Sequence, residues 1–345
     1  MGGPYHHDRC PCIHKGKGMT TIAITGIRSH VAHALLPRLM SDPKITRIIG
    51  IGPHKPDDLP ASKVEFREID IRDKLKLDEA FAGVDIVMHY AFVVDPKGFP
   101  EKEVLDTCIK GSMNVFEAAA SQGVKKIIYT SSIAAYGSPP AKPGVQMDET
   151  CELRGKTTSW FYSRAKAAVE EFLHGFIVAH PGIITTVIRP SFICGCKDFY
   201  YVVKAFVDPV LQKKPFLFVK PVSYPQAMMQ LTHEDDLITF ILKAMNEDLP
   251  GPFNIASDVI NLENFLAERG VSIRYIPWGL ITLVLAIGGL FSQGMRYQHQ
   301  YYTLFRNPPS MNCEKIKATG FTFKYPSTRD ILAEAIELKT REKGI

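Results

Sequence analysis

The sequence predicts an α/β fold: a doubly wound parallel sheet with helices on both faces, followed by a smaller, mostly helical C-terminal lobe. Three observations carry this. From Met19 to Arg189, short apolar runs alternate with longer stretches of helical periodicity, the pattern of βαβ units. The first apolar run passes through a glycine turn directly into a helix. After Arg189 the rhythm gives way to segments rich in aromatics and proline that fit a sheet poorly.

The elements follow in order. Ile22–Thr25 reads as a strand, and Val31–Met40 as a helix with Leu35, Leu36 and Leu39 at helical spacing. Arg47–Ile51 and Val64–Ile69 are the second and third strands, Leu77–Ala82 a short helix and Asp85–Tyr90 the fourth strand. Val104–Gln122 is a long helix ended by Gly123, a suitable C-cap. Lys126–Thr130 is the fifth strand, Tyr162–Ala179 a long helix and Ile183–Ile188 the sixth strand. Right-handed crossovers then wind the sheet in both directions. Beyond it, Thr232–Met245 reads as a helix and Phe253–Ala256 as a strand returning to the sheet.

Composition excludes several alternatives. The chain has 345 residues, 46% hydrophobic and 22% charged, which excludes long-range disorder and coiled coil as the main architecture. A net charge of +5, with no run of five basic residues, gives no nucleic-acid footprint. The seven cysteines are an odd number in a long chain, which points to a reducing compartment, the cytoplasm. Cys10/Cys12 and Cys194/Cys196 are separated by one residue, not the two of common zinc sites; even with His6, His7 and His14 beside the first pair, no metal site is assigned. Residues 1–18 lack periodicity and the apolar region of a secretory signal, and read as a disordered extension, with Met19 as the natural beginning. Tyr275–Met295 carries no charged residue. Its nearly all-apolar part, Ile276–Phe291, is shorter than a membrane span of about 20 apolar residues and is interrupted by Pro277, Gly279, Gly288 and Gly289. A buried helix lining an apolar pocket is the main reading of 276–291, and a peripheral membrane contact the second.

Strand Ile22–Thr25 runs through Gly26-Ile27-Arg28-Ser29-His30-Val31-Ala32 into a helix. That geometry sets backbone N–H groups and a helix N-terminus against a pyrophosphate. Only the first glycine of such a loop is kept; Ser29 and Ala32 stand where the second and third would be. An ordinary strand-to-helix turn would look similar. The second strand normally ends in an acid that holds the adenosine ribose. Here Gly52 takes that place, with Arg28, His54 and Lys55 nearby, which points to NADP over NAD; solvated loop charges are the alternative.

Hydride transfer at a carbinol needs an acid/base at the oxygen. A tyrosine serves when a neighbouring ammonium favours its phenolate. Tyr162 and Lys166 are four apart on a predicted helix and share a face. Tyr200 and Lys204 repeat that spacing, but only Tyr162 follows a strand ending in Thr130-Ser131-Ser132 at the ligand-binding edge of the sheet.

Residues 20–335 then resemble the extended short-chain dehydrogenase/reductases, the NAD-dependent epimerase/dehydratase family. Thr25-Gly26 opens a degraded TGxxGxxG. Asp70-Ile71-Arg72-Asp73 resembles an adenine-contacting element, His89-Tyr90-Ala91-Phe92 an HxAA element, and Gly111-Ser112-Met113-Asn114-Val115 a GTxNV helix. Thr130–Gly137 is similar to SSxxxYG, Tyr162–Lys166 to YxxxK, Arg189–Gly195 to RPxxxxG and His233–Asp236 to HVDD.

The resemblance implies a Rossmann-type NAD(P)-binding domain over 19–190 with returning segments at about 228–257, and a substrate-binding lobe from 191–227 and 258–345. It implies Tyr162 as acid/base, Lys166 lowering its pKa and holding a nicotinamide ribose, and Ser132 partnering the substrate oxygen. Gly26, Arg28, Ser29, His30 and Val31 would face the phosphates, Asp70 and Ile71 the adenine, and Ala91 the nucleotide. Arg189-Pro190 would place backbone beside the nicotinamide. Departures fall at the loop glycines, at Gly52 and at Cys108, where the family usually has an asparagine. A homodimer through helices 104–122 and 162–179 is also implied.

The C-terminal lobe carries Phe199, Tyr200, Tyr201, Phe206, Phe216, Phe218, Trp278 and Leu280–Leu285, with Arg274, Arg296 and Arg306 as its cations. An apolar pocket suits a hydrophobic alcohol or ketone; plain core packing would explain the same residues. The expected activity is therefore an NAD(P)-dependent oxidoreductase acting on a hydrophobic secondary alcohol or ketone. The alternatives are a sugar-nucleotide epimerase or dehydratase, and a non-catalytic nucleotide sensor.

Overall fold

The computed structural model describes residues 19–60, 62–96, 98–138, 145–195, 207–219, 227–292, 295, 300 and 309–344. The extension 1–18 with its cysteines and histidines, Cys196, Phe199, Tyr200, Tyr201, Lys204, Phe206, Arg296 and Arg306 lie outside the described residues.

The first half runs β1 (Thr20–Thr25), α1 (His30–Ser41), β2 (Ile45–Gly52), β3 (Val64–Glu68), α2 (Lys74–Phe81), β4 (Ile86–His89), α3 (Glu101–Ser121), β5 (Lys126–Thr130), α4 (Phe161–Ala179) and β6 (Ile184–Pro190). It continues as β7 (Phe192–Cys194), α5 (Asp208–Leu211), β8 (Phe216–Val219), β9 (Met228–His233), α6 (Glu234–Asn246) and β10 (Gly251–Ile255). The last elements are β11 (Val259–Asn261), α7 (Leu262–Ala267), β12 (Ile273–Ile276), α8 (Trp278–Phe291), α9 (Glu314–Ala318) and α10 (Thr328–Lys343).

Seven strands form one sheet in the order β10-β6-β5-β4-β1-β2-β3. Every pairing in it is parallel. Alternate residues feed opposite faces. Ile22 and Ile24 of β1 pack with Leu35 and Leu39 of α1 and with Phe240 and Ile241 of α6. Ala23 lies on the other face with Val87, Ile127, Phe116 of α3 and Leu173 of α4. Because helices cover both faces, the strands need apolar residues at successive positions. That is why they are legible as unbroken runs.

The smaller C-terminal domain has its own core, including Phe216, Phe218, Leu231, Phe265, Leu266, Ile331 and Leu332. Two small sheets, β11-β9-β7 and β12-β8, lie among its helices, and the sequence pattern placed neither.

The expectation of a buried helix over 276–291 is corrected. On α8 only Leu285 and Gly289 are buried. Leu280, Leu283, Val284, Ile287, Leu290 and Phe291 are exposed, Phe291 by 86%. An element apolar on every side gives no amphipathic signal for which face packs, so its surroundings alone decide. No helix among the described residues is long and apolar enough to cross a membrane.

Candidate active site

Sheet order reverses between β1 and β4, and the crevice beyond their C-terminal ends is where open α/β sheets bind ligands. Register brings the relevant strand ends level: Thr25 pairs with His89, and His89 with Tyr129. Buried between them, His89 hydrogen-bonds Thr25 (2.6 Å) and Ser112 of α3 (2.8 Å). Burial pushes its pKa down to about 3, so the ring stays neutral and ties three elements together.

Gly26 ends β1 at φ 72°. A Cβ there would sit 2.4 Å from the backbone nitrogen of Ala91, so only glycine lets the β1 turn lie against the β4 turn. Its N–H donates to the Ile51 carbonyl at 2.8 Å. Ser29 stands in the place of the second loop glycine, half-buried at the start of the helix. It is the N-cap of α1, and its Oγ accepts from the Ala32 N–H at 3.2 Å. The Gly26 turn and the N-terminus of α1 fit a pyrophosphate. His30 and Val31 open that helix half-buried, and Arg28 is exposed. His30 Nε2 lies 2.5 Å from Glu234 Oε2, joining α1 to α6.

At the adenosine end, a Cβ on Gly52 would meet nothing nearer than 3.9 Å, so the position has room for a side chain. His54 and Lys55 beside it are exposed. Asp70 is paired with Arg72 at 2.6 Å, and the guanidinium holds its carboxyl below the usual carboxylate range. Ile71 fills the space over Gly111, where a Cβ would approach within 2.6 Å. Asn114 Nδ2 donates to the carbonyls of Ile71 (3.2 Å) and Arg72 (2.9 Å), fixing this turn on α3.

Ser132 follows β5 as the N-cap of a 3-10 turn over Ile133–Tyr136, its Oγ accepting from Ala134 N–H at 3.1 Å. The first turn of α4 carries Tyr162, and Ser132 acts on its phenol. Burial pushes Tyr162 up to about 12, and the Ser132 contact offsets only part of this. One turn on, Lys166 is 3% exposed. Its Nζ donates to the Thr130 carbonyl at 2.8 Å and the Tyr129 hydroxyl at 3.3 Å. Burial pushes Lys166 down to about 7. The structure therefore brings Ser132, Tyr162 and Lys166 together at the edge where the sequence placed them.

Three features escaped sequence reasoning. The Phe92 ring centroid lies 3.7 Å from Lys166 Nζ, and the ring stands edge-on to Tyr162 at 5.4 Å. The signal was a bulky residue at the second alanine of HxAA. Cys108 accepts from the Val93 N–H at 3.4 Å, and burial pushes its thiol up to about 11, so it serves as a neutral support. Arg189, whose backbone is expected beside the nicotinamide, has its side chain in a buried ion pair with Glu170 at 2.6 Å. Ser131 Oγ donates to the same carboxylate at 2.5 Å, and Arg189 Nη1 donates to the Tyr136 hydroxyl at 2.7 Å. This network fastens β5, β6 and α4 together; Pro190, next to Arg189, is buried.

Comparisons with known proteins bear on the family and the fold. The model of the NAD dependent epimerase/dehydratase family matches residues 22–256. A putative anthocyanidin reductase of Ginkgo biloba is 25% identical over 356 residues, covering 93% of this chain and 95% of that protein. An uncharacterized protein of Mycobacterium tuberculosis is 27% identical over 238 residues, 68% of this chain, but that stretch is 21% of the relative's length. The solved UDP-glucose 4-epimerase of Thermotoga maritima, with UDP-glucose, superposes with a TM-score of 0.67 at 19% identity, covering 94% of this chain and 99% of that one. At that identity the likeness shows the fold.

Proposed function

The chain belongs to the NAD-dependent epimerase/dehydratase family, and we propose that within it the protein is an NAD(P)-dependent oxidoreductase acting on a secondary alcohol or ketone of a hydrophobic substrate. The observation that carries this is the Ser132–Tyr162–Lys166 cluster beside the Gly26 turn. A bound nicotinamide supplies the hydride donor or acceptor. Tyr162 passes a proton between its hydroxyl and the substrate oxygen, and Ser132 orients that oxygen. Lys166 holds the ribose, and its ammonium favours the phenolate. Gly26, Arg28, Ser29, His30 and Val31 take the phosphates, Asp70, Ile71 and Ala91 the adenosine side, and the Arg189-Pro190 backbone the nicotinamide. With no acid at Gly52 and Arg28, His54 and Lys55 close in sequence or space, NADP is the preferred form.

A hydrophobic substrate is supported by the near-full-length likeness to a putative anthocyanidin reductase; Phe216 and Phe218 pack into the C-terminal domain's own core instead of lining a pocket. The division at 19–190 with 228–257, against 191–227 and 258–345, assigns the nucleotide to the sheet and the substrate to the smaller lobe. Sugar-nucleotide epimerisation is the second reading, favoured by the family model. NADPH consumption with a panel of apolar ketones, beside NAD-supplemented UDP-glucose, separates the two. We expect turnover of at least one apolar ketone and none of the sugar nucleotide; the reverse contradicts the proposal.

Two associations complete it. The half-buried Leu105, Ile109 and Phe172 of α3 and α4 fit a homodimer interface. The exposed face of α8 fits a membrane surface. At 1.5 Å per residue, α8 is about 21 Å long and 10 Å wide. That face is far below the roughly 800 Å² per partner of a stable protein interface, but adequate for shallow insertion. Cys108, Cys151 and Cys313, which are free thiols, fit a cytoplasmic location. Sedimentation alone and with anionic vesicles reads both associations: a dimer that pellets with the vesicles is expected. A monomer removes the first association, and failure to pellet removes the second.

A further inference from the structure

We propose that Phe92 is a gate on Lys166, which a nicotinamide cofactor has to swing aside before the lysine can hold its ribose. The inference rests on the oxidoreductase reading above and concerns how that site is opened.

The Lys166 ammonium has three N–H donors. One goes to the Thr130 carbonyl at 2.8 Å and one to the Tyr129 hydroxyl at 3.3 Å. The remaining side faces the Phe92 ring, whose centroid is 3.7 Å from Nζ. A ring at that separation is in van der Waals contact, and no hydroxyl fits between it and the nitrogen. The same ring stands edge-on to Tyr162 at 5.4 Å, so it covers both members of the pair. The ribose hydroxyls and the Phe92 ring thus compete for one face of one ammonium.

The backbone on either side of Phe92 is pinned. Ala91 is held against the Gly26 turn, where even a Cβ has no room. Val93 is tied to Cys108, which accepts from its N–H at 3.4 Å and reaches its carbonyl at 3.9 Å. The opening motion is therefore rotation of one side chain, not movement of the loop. Phe92 itself is half-buried, so the ring has solvent on one side into which to turn. Cation–π attraction, which is stronger where water is excluded from the ring and the ammonium, holds the closed state. The ligand that opens it must bring hydroxyls to replace the ring, as a ribose diol does and an apolar substrate does not.

Phe92→Ala and the milder Phe92→Val test the gate with two readouts. The first is the rate at which an amine-selective acylating reagent modifies Lys166 in the cofactor-free protein, measured by peptide mass against surface lysines of the same sample. The second is NADPH affinity from nicotinamide fluorescence. The gate predicts faster Lys166 modification in both variants and NADPH binding roughly tenfold tighter in Phe92→Ala. If Phe92→Ala does not fold, Phe92→Val is expected to shift both readouts in the same directions by less. NADPH binding that is unchanged or weaker in the folded variants overturns the gate, because the ring is then a wall of the site or irrelevant to it. If neither variant nor the unaltered protein binds NADPH, the oxidoreductase reading fails. Lys166 modification then decides alone whether Phe92 shields the lysine.

Discussion

Tyr162→Phe is expected to lower kcat by about a thousandfold while leaving NADPH affinity within about twofold, as fits the loss of a general acid/base. The substitution removes one oxygen and keeps the ring. That ring packs against Trp160 at 4.9 Å and Phe92 at 5.4 Å, so the local core survives. The lost atom is the phenol oxygen, whose proton burial holds in place. Burial raises this phenol to about 12 in the cofactor-free protein, so it stands protonated and ready to donate to a ketone oxygen. Single-turnover measurements with saturating NADPH check the effect on the proton-coupled step. Unchanged turnover would move the acid/base role elsewhere.

Lys166→Met is expected to abolish turnover as well, yet to make the cofactor-free protein more stable. Burial drives the lysine from its usual value of 10.5 down to about 7, so the fold carries a charge it does not accommodate well. The sign follows from proton counts. Between about pH 7 and 10.5 the unfolded chain holds the Lys166 proton and the folded one does not, so stability rises with pH across that window. Below about 7 both states are protonated, and the full destabilisation is present. Methionine removes it. The variant's stability advantage, about 1–4 kcal/mol as when buried ionic groups give way to apolar ones, is largest at pH 6 and shrinks toward pH 10. Denaturant melts of both proteins at pH 6, 8 and 10 measure it. A variant less stable at pH 6 would mean that the Thr130 and Tyr129 hydrogen bonds outweigh the desolvation of the ammonium.

Such a lysine illustrates what the sequence could and could not disclose. The sheet was legible from Ile22 to Ile188 because its inner strands are covered on both faces and carry apolar residues at successive positions, while the edge strand β3 (Val64–Glu68) alternates apolar and charged residues. Helix ends were legible where caps mark them, as at Gly123 after α3. The C-terminal domain was not. Its strands β7, β8, β11 and β12 are three or four residues long, too short for a period to register. α10 is largely polar, and α8 is apolar on all sides and exposed on most. In the site, Ser132, Tyr162 and Lys166 were readable because strand order and helical spacing bring them together. Glu170 was not: a glutamate four residues after Lys166 reads as a surface charge until Arg189 of β6 is seen beneath it. Phe92 was visible in the motif, but its meaning depends on where Lys166 points.

The most direct measurement is a fluorescence titration of the full chain with NADPH and with NADH, repeated on Gly52→Asp. A Cβ at Gly52 meets nothing nearer than 3.9 Å, so the substitution is chosen to add the missing ribose carboxylate. The account predicts saturable binding of both cofactors with NADPH the tighter, and a reversal of that order in Gly52→Asp. Absence of binding by either cofactor up to millimolar concentration would contradict it, and the Ser132–Tyr162–Lys166 cluster would then be without the reaction partner on which its chemistry depends.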